Sequence, residues 1–220
     1  MGESKDPPPT IYFGYGSNLW LAQMTLRCAT STYLGTARLR GYKWIINERG
    51  YANVVQTGTQ PSAAAESAEF HDYTNEVWGL VYSLLPNDEA KLDVNEGVPE
   101  AYTKEYIPVD FWAQPLPSSQ QPQAVQHQEG SRSVLLRQPK QVSMLVYIDR
   151  LRTEPAEPRK EYVVRMNKGI CDAVEQGVPE GYVRGVLRGF IPEGGAEGEG
   201  EIEVLARRQA ARFEDESGVC

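Results

Sequence analysis

Short strand patterns, separated by turns and by brief helical stretches, place the strongest constraint on how this chain can fold. Runs rich in aromatic and β-branched residues, which favour strands, occur at 11–16, 33–47, 51–57, 76–84, 102–112 and 141–147. The clearest helix pattern covers 158–176, where apolar residues recur at every fourth position from Tyr162. A shorter helix pattern begins at Pro86 and ends near Gly97. Strands joined by short helices predict an α+β fold.

The first strand pattern runs directly into a glycine turn. The segment Ile11–Gly16 is followed by Ser17 and Asn18, whose short polar side chains are typical helix caps. A strand–turn–helix junction of this kind directs several backbone N–H groups towards one point, which suits an anion or an oxyanion. The turn has Leu19 where a dinucleotide fingerprint has its third glycine, and it lacks a P-loop lysine and a nucleophile elbow. The residues alone leave two interpretations open, an anion site or an ordinary tight turn.

The second candidate is Glu96, at the end of the short helix that begins at Pro86. The negative end of the helix dipole and the nearby Asp93 both oppose charge on this carboxyl, so burial would leave it with a raised pKa. A carboxyl poised in this way can act as a general base near neutral pH. The other interpretation is a solvated surface glutamate beside a helix stop.

Composition divides the chain into a compact region and two flanking segments. We predict a flexible tail over 1–9, a compact domain over 10–191 and an acidic Gly/Glu-rich C-terminal extension over 192–220. Within the domain, 113–131 is rich in proline and glutamine and is predicted to be an exposed insertion. The segment 192–203 is predicted to be a linker or loop.

Charge, hydropathy and cysteine spacing exclude several functional classes. The 220 residues carry a formal net charge of −8, which disfavours binding to a phosphate backbone, and we expect no nucleic-acid partner. No run approaches the ~18 consecutive apolar residues of a membrane span, and no secretory signal pattern is present, so we expect no membrane association and a cytosolic protein. Cys28, Cys171 and Cys220 form no C-x-x-C pair, which predicts neither a disulfide framework nor a metal site. The sequence leaves the oligomeric state, including a homodimer, open.

Three segments in order resemble the γ-glutamylcyclotransferase family. They are YFGYGSNL at 12–19, EVWGLVY at 76–82 and LDVNEG at 92–97. The resemblance is close over 11–112, looser over 142–176, and does not extend beyond about 192. It implies a small mixed-sheet β-barrel flanked by short helices.

The resemblance also implies an activity and a set of site residues. The family converts γ-glutamyl amines or peptides to 5-oxoproline and the released amine without a metal or another cofactor, so a small-molecule γ-glutamyl substrate is the expected partner. The catalytic glutamate of the family corresponds to Glu96. The substrate-binding residues implied are Tyr12, Phe13, Gly14, Tyr15, Gly16, Ser17, Asn18 and Tyr162, with Tyr102 and Tyr147 as further pocket-lining residues.

The chemistry explains why those residue types are needed. The α-amine of the substrate attacks its own γ-carbonyl, so the enzyme supplies no nucleophile, and Glu96 can perform both proton transfers. In this hypothesis the N–H groups of the Gly14–Asn18 turn hold the oxyanion or the α-carboxylate, and His71 and His127 are not required. One alternative is a related lyase acting on a glutathione adduct or a secondary-metabolite intermediate. The other is a non-catalytic small-molecule-binding module with the same fold.

Overall fold

The computed structural model describes residues 7–58, 71–114, 138–194 and 200–215. Its strands are β1 Thr10–Gly14, β2 Thr32–Arg40, β3 Tyr42–Ile46, β4 Ala52–Gln56, β5 Glu76–Leu84, β6 Thr103–Ala113 and β7 Lys140–Ile148. Its helices are α1 Leu21–Arg27, α2 Pro86–Asn95, α3 Lys160–Glu175, α4 Glu180–Gly185 and α5 Gly200–Ala211. Short 3₁₀ turns lie at Ser17–Leu19, Tyr73–Asn75 and Leu187–Gly189.

Five strands close into a barrel in the order β1-β5-β2-β6-β7. Each neighbouring pair is antiparallel except β1 and β7, which meet in parallel at Tyr12 and Leu145 and complete the closure. Closure removes the exposed sheet edges that would otherwise invite pairing with another chain. The predicted α+β fold with a small mixed barrel and short flanking helices is confirmed.

The strand predictions agree with the structure to within a residue or two at most ends, but the single pattern at 33–47 is two strands, β2 in the barrel and β3 outside it, separated by Gly41 with a φ of 78°. The turn 48–50 connects β3 to β4, which pair separately from the barrel with Trp44 opposite Val54. Strand β5 is buried along nearly its whole length because β3, α2 and the 3₁₀ turn after β1 pack on it in addition to its barrel neighbours β1 and β2. Gly79 on β5 is needed for close approach, since a Cβ there would lie 2.4 Å from the carbonyl oxygen of Gly14 on the neighbouring strand.

Helices α2 and α3 end in the same local structure. After α2, Gly97 has a φ of 65°, and the N–H groups of Gly97 and Val98 return to the carbonyls of Val94 and Asp93. After α3, Gly177 and the residue following it make the equivalent pair of hydrogen bonds. This Schellman arrangement accounts for the similar sequences EGVPE and QGVPE and fixes the position of the residue before each glycine. In α2 that residue is Glu96.

Helix α5 lies within the segment that the sequence assigned to a C-terminal extension. It begins at Gly200, inside the predicted linker 192–203, with Glu201 and Glu203 in its first turn, where the helix dipole favours acidic groups. Ala206 and Ala210 are completely buried where the helix packs on α1 and α3. The packed structure therefore continues past residue 191. The glycines and glutamates of this segment resemble a linker, so the sequence did not indicate the helix. Its packing partners, α1 and α3, lie elsewhere in the sequence.

The predicted insertion and the expected lack of a membrane span can be compared with the structure only over the described residues. Residues 115–131 of the predicted insertion lie outside them, as does His127. Within the described ranges, no helix has the length and apolar character needed to cross a bilayer.

Candidate active site

A pocket of about 470 Å³, part of it open to solvent, lies where the 3₁₀ turn after β1 meets the end of α2 and the start of α3. Its wall brings together residues that are widely separated in the sequence. They are Tyr12, Tyr15, Gly16, Ser17, Asn18, Arg27, Tyr51, Ala52, Asn95, Glu96, Tyr102, Tyr147, Tyr162, Arg165 and Phe213. Phenol rings, one carboxyl and two guanidinium groups therefore share one cavity, a composition typical of a site for a small polar ligand.

Glu96 is the sole carboxylic acid among the described residues that line this pocket. Burial raises its pKa, an effect that the positive charge of Arg27 and a hydrogen bond from Asn18 partly offset. Asn18 Nδ2 donates to Glu96 Oε1 at 3.1 Å, while Oε2 accepts no hydrogen bond from the described part of the chain. The sequence predicted a raised pKa for a buried Glu96 through the helix dipole and Asp93, but desolvation is the principal cause and Asp93 is not among the causes. Asp93 instead accepts hydrogen bonds from Tyr147 and Lys104.

Asn18 holds the orientation of this carboxyl. Its side-chain nitrogen also donates to Tyr12 Oη at 2.8 Å, and its side-chain oxygen accepts from Gln23 Nε2 at 2.8 Å and Arg27 Nη1 at 3.1 Å. Its backbone carbonyl accepts from Tyr82 Oη at 2.8 Å. Because every polar atom of the amide is engaged, its NH₂ group is a fixed donor rather than a rotating one.

Arg165 and Glu161 form a buried ion pair beside the turn. The guanidinium is bidentate on the carboxylate, with Nε–Oε2 and Nη2–Oε1 distances of 2.7 and 2.9 Å, and the two side chains are 1% and 4% exposed. Arg165 Nη1 also donates to Ser17 Oγ at 2.9 Å. The same oxygen accepts from Gln23 Nε2 at 2.9 Å. The pair thus connects α3 to the glycine turn and fixes Ser17.

Tyr162 lies at the centre of the pocket wall. Its hydroxyl oxygen accepts from the backbone N–H groups of Ser17 at 3.1 Å and Ala52 at 3.3 Å. Burial raises its pKa to about 12, and these two hydrogen bonds oppose that rise. The phenol is therefore neutral at neutral pH, and its own hydrogen has no acceptor among the described residues. Tyr162 can donate that hydrogen to a ligand.

Three further tyrosines of the wall are held by hydrogen bonds. Tyr15 donates to the carbonyl of Tyr147 at 2.5 Å, Tyr147 donates to Asp93 Oδ1 at 2.7 Å, and Tyr102 donates to the carbonyl of Ala52 at 2.8 Å. Burial is the largest cause that raises the pKa of each of these phenols. These phenols are therefore uncharged and do not act as bases, so Glu96 is the group that can transfer protons in the pocket.

Some residues assigned to the site by the sequence do not line the pocket. Phe13 is fully buried and packs against Tyr15, because consecutive side chains of a strand point to opposite faces and Tyr12 takes the pocket face. Gly14 is also outside the lining. The predicted caps differ as well, since neither Ser17 nor Asn18 caps α1. The first N–H of that helix, on Leu21, donates to Asp172 Oδ2 at 2.8 Å.

Several lining residues were not predicted from the sequence: Arg27, Tyr51, Ala52, Asn95, Arg165 and Phe213. Arg165 had a usable signal, because it lies three residues after Tyr162 and so shares the apolar face of α3, where a charged side chain requires an explanation. The described ranges hold no group of three or more His, Cys, Asp and Glu side chains that could bind a metal ion.

The two glycines of the turn should tolerate substitution differently. A Cβ at position 16 would lie 2.8 Å from Tyr162 Oη and 3.1 Å from Ala52 Cβ, whereas at position 14 the nearest atoms are 3.3–3.4 Å away. We therefore expect Gly16→Ala to displace the Tyr162 hydroxyl and cost about 1–3 kcal/mol, the usual range for overpacking, with a smaller loss for Gly14→Ala. Urea unfolding of both variants measures this difference. Equal losses would contradict the assigned role of Gly16.

Curated proteins resemble this chain over part of its sequence. No protein-family model matches the chain. The gamma-glutamylcyclotransferase of Bos taurus is 27% identical over 107 residues, which are 49% of this chain and 53% of that protein. The gamma-glutamylcyclotransferase of Homo sapiens is 29% identical over 93 residues, 42% of this chain and 47% of that protein. The matched segment thus spans about half the length of these curated relatives.

The solved structures extend the likeness to nearly the whole chain. A structure titled gamma-glutamyl cyclotransferase matches with a TM-score of 0.59 and 21% identity, covering 91% of this chain and 99% of that one. YkqA of Bacillus subtilis matches with a TM-score of 0.53 and 18% identity, covering 86% and 57%. The chain therefore resembles gamma-glutamylcyclotransferases in sequence and has their fold, as its motifs predicted.

Proposed function

We propose that this protein is a γ-glutamylcyclotransferase, which converts a γ-glutamyl amine to 5-oxoproline and the free amine. The observation that carries the proposal is the Glu96 carboxyl, with its raised pKa and one oxygen held by Asn18 in a pocket formed by the glycine turn. The sequence similarity to curated gamma-glutamylcyclotransferases supports the same reaction.

Glu96 performs the proton transfers. Its carboxylate takes a proton from the substrate α-ammonium through Oε2, and the resulting amine attacks the γ-carbonyl carbon to form a C–N bond. The bond from that carbon to the leaving nitrogen then breaks as Glu96 returns its proton to that nitrogen. The Glu96 carboxylate next takes the second proton of the ring nitrogen and passes it to the released amine, which leaves as an ammonium. Tethering of nucleophile and carbonyl can contribute about 7–11 kcal/mol in well-oriented cases.

Tyr162 provides a donor for the oxyanion on the γ-carbon. The Ser17 N–H, which the sequence analysis included among the oxyanion donors of the turn, already donates to the Tyr162 hydroxyl. Two N–H groups on the phenol oxygen polarise it and make its hydrogen a stronger donor. In the proposal this hydroxyl replaces the Ser17 N–H at the oxyanion.

Arg27 favours the α-carboxylate of the substrate. The guanidiniums of Arg27 and Arg165 both line the pocket, and burial together with the charge of Arg165 lowers the pKa of Arg27 to about 10, so Arg27 stays charged at neutral pH. Glu161 compensates the charge of Arg165, so the charge of Arg27 is the one that attracts the α-carboxylate of the γ-glutamyl group. The proposal assigns no cofactor, because the substrate supplies both reacting groups and no electrons are exchanged, and it places the protein in the cytosol.

Product analysis with three kinds of γ-glutamyl compound tests the proposal. The purified protein is incubated with γ-glutamyl-alanine, glutathione and an S-substituted glutathione, and 5-oxoproline is measured by chromatography. Turnover of γ-glutamyl-alanine supports the proposal. Release of 5-oxoproline from the glutathione conjugate alone would favour the related lyase, and tight binding with no 5-oxoproline would identify a binding module instead.

A further inference from the structure

The chain that follows α5 crosses the edge of the pocket. We call residues 212–215 the strap. Phe213 lines the pocket, and its ring centroid lies 5.0 Å from that of Tyr51, which in turn lies 5.2 Å from that of Tyr162. These two contacts are edge-to-face, a favourable arrangement for aromatic pairs. The strap thus completes a wall of three aromatic rings.

Separate contacts fix the strap in place. The Phe213 N–H donates to Asn95 Oδ1 at 3.1 Å, and the Asp215 carboxylate pairs with the buried Arg49 at 2.9–3.0 Å. Between them, the side chain of Gln209 bonds both the N–H and the carbonyl of Glu214, at 2.8 and 3.0 Å. A segment held at three successive residues can present one side chain in a defined position.

The α5 end of the strap is tied to the pocket by Arg27. This pocket residue donates through Nε to the carbonyl of Ala210 at 2.9 Å and through Nη2 to that of Gln209 at 2.8 Å. The guanidiniums of Arg27 and Arg165 also lie 6.0 and 5.7 Å from the centroid of the Phe213 ring. Phe213 therefore packs against the cationic side of the pocket as well as against its tyrosines.

Asn95 places the strap close to Glu96, the residue that transfers protons in the proposed reaction. In the proposed reaction Glu96 returns a proton to the leaving nitrogen, so that nitrogen comes within hydrogen-bond distance of the Glu96 carboxyl. The substituent on the nitrogen must start beside Glu96. Asn95, the residue before Glu96, accepts a hydrogen bond from the backbone N–H of Phe213, so the strap passes this end of the pocket and the Phe213 ring lines the same cavity. An aromatic ring at this point limits the size of the substituent and favours an apolar one.

We infer that Phe213, held by the strap, is a specificity-determining residue that restricts the amine side of the substrate to amines with a small apolar side chain, as in γ-glutamyl-alanine. This inference rests on the proposed function. Pocket contacts of one or two carbon atoms discriminate substrates by about 10–200-fold. Removing the Phe213 ring should therefore relax discrimination against a bulky amine by a factor in that range.

The test compares kcat/KM for γ-glutamyl-alanine and γ-glutamyl-phenylalanine. The wild-type protein should prefer the alanine compound, and Phe213→Ala should raise the phenylalanine-to-alanine ratio at least about tenfold. Asp215→Asn, which loosens the strap without changing the wall, should shift the ratio in the same direction by less. Val204→Ala, on the exposed side of α5, is the matched control and should leave the ratio unchanged. A wild-type preference for the bulky substrate, or an unchanged ratio in Phe213→Ala, would overturn the inference.

A second readout separates this inference from the proposed function. If neither dipeptide is turned over, the proposed function fails, and the dissociation constants of the same two dipeptides are measured by calorimetry. A tenfold or larger shift in their ratio in Phe213→Ala would still support the strap as a selective wall. An unchanged ratio would overturn it.

Discussion

Replacing Glu96 by glutamine should lower kcat on a γ-glutamyl substrate by at least about 10²–10⁴-fold, the usual contribution of general acid–base catalysis. The glutamine keeps an oxygen that can accept the Asn18 hydrogen bond at the position of Oε1. It cannot take the proton of the α-ammonium, and the attacking amine then stays protonated. Steady-state release of 5-oxoproline measures the loss. A wild-type rate in Glu96→Gln would contradict the mechanism.

Folding stability provides the control for this variant. The pKa of Glu96 is raised in the folded state, so its protonated form is favoured there, and its contribution to stability is full below pH 4.5 and is lost as pH rises through the folded pKa. Glutamine does not titrate. Glu96→Gln should thus be at least as stable as the wild type at pH 7, with any advantage vanishing in acid. Glu100→Gln, at an exposed position nearby, should change neither rate nor stability.

Breaking the buried ion pair should have the largest effect on stability. Arg165→Met leaves the Glu161 carboxylate buried without its partner, and loss of one member of such a pair typically costs about 3–5 kcal/mol. It also removes one of the two hydrogen bonds that Ser17 Oγ accepts, which loosens the glycine turn, and displacements of about 1 Å at a catalytic site can cost 10²-fold in rate. Denaturant unfolding and 5-oxoproline release measure the two effects.

A double variant and an exposed pair distinguish the two roles of Arg165. Glu161→Gln combined with Arg165→Met removes the unpaired charge and should recover part of the stability, but not the activity, because Ser17 Oγ still lacks the hydrogen bond from Arg165. Arg184→Met breaks a pair with the same i,i+4 spacing, Glu180–Arg184, whose side chains are about 70% exposed, and should cost no more than about 1 kcal/mol. A stable, fully active Arg165→Met would show that the ion pair does not position the turn.

Local sequence signals explain which parts of the fold and the site could be predicted. The end of α2 was predictable because glycine readily adopts the positive φ that ends a helix and the proline two residues later cannot continue it. This helix end fixes the position of Glu96. The strands were predictable from their aromatic and β-branched residues. Whether Tyr12 or Phe13 points into the pocket depends on which face of β1 lines it, and the sequence does not show which face that is.

Long-range contacts explain the rest. Arg27 is held at the pocket by hydrogen bonds to two carbonyls at the end of α5, which are more than 180 residues away in sequence. Phe213 reaches Asn95 across 118 residues, from a segment whose glycines and glutamates resembled a linker. Such contacts depend on tertiary packing, and neither residue type nor spacing near Phe213 indicated a pocket wall.

Isotope analysis of the product tests the central claim most directly. The wild-type protein is incubated with γ-glutamyl-alanine in water enriched in oxygen-18, and the products are analysed by mass spectrometry. Attack by the substrate's own amine predicts equal amounts of alanine and 5-oxoproline, with no oxygen-18 in the 5-oxoproline. Glutamate carrying one oxygen-18 atom would mean that water is the nucleophile, and would contradict cyclisation at Glu96.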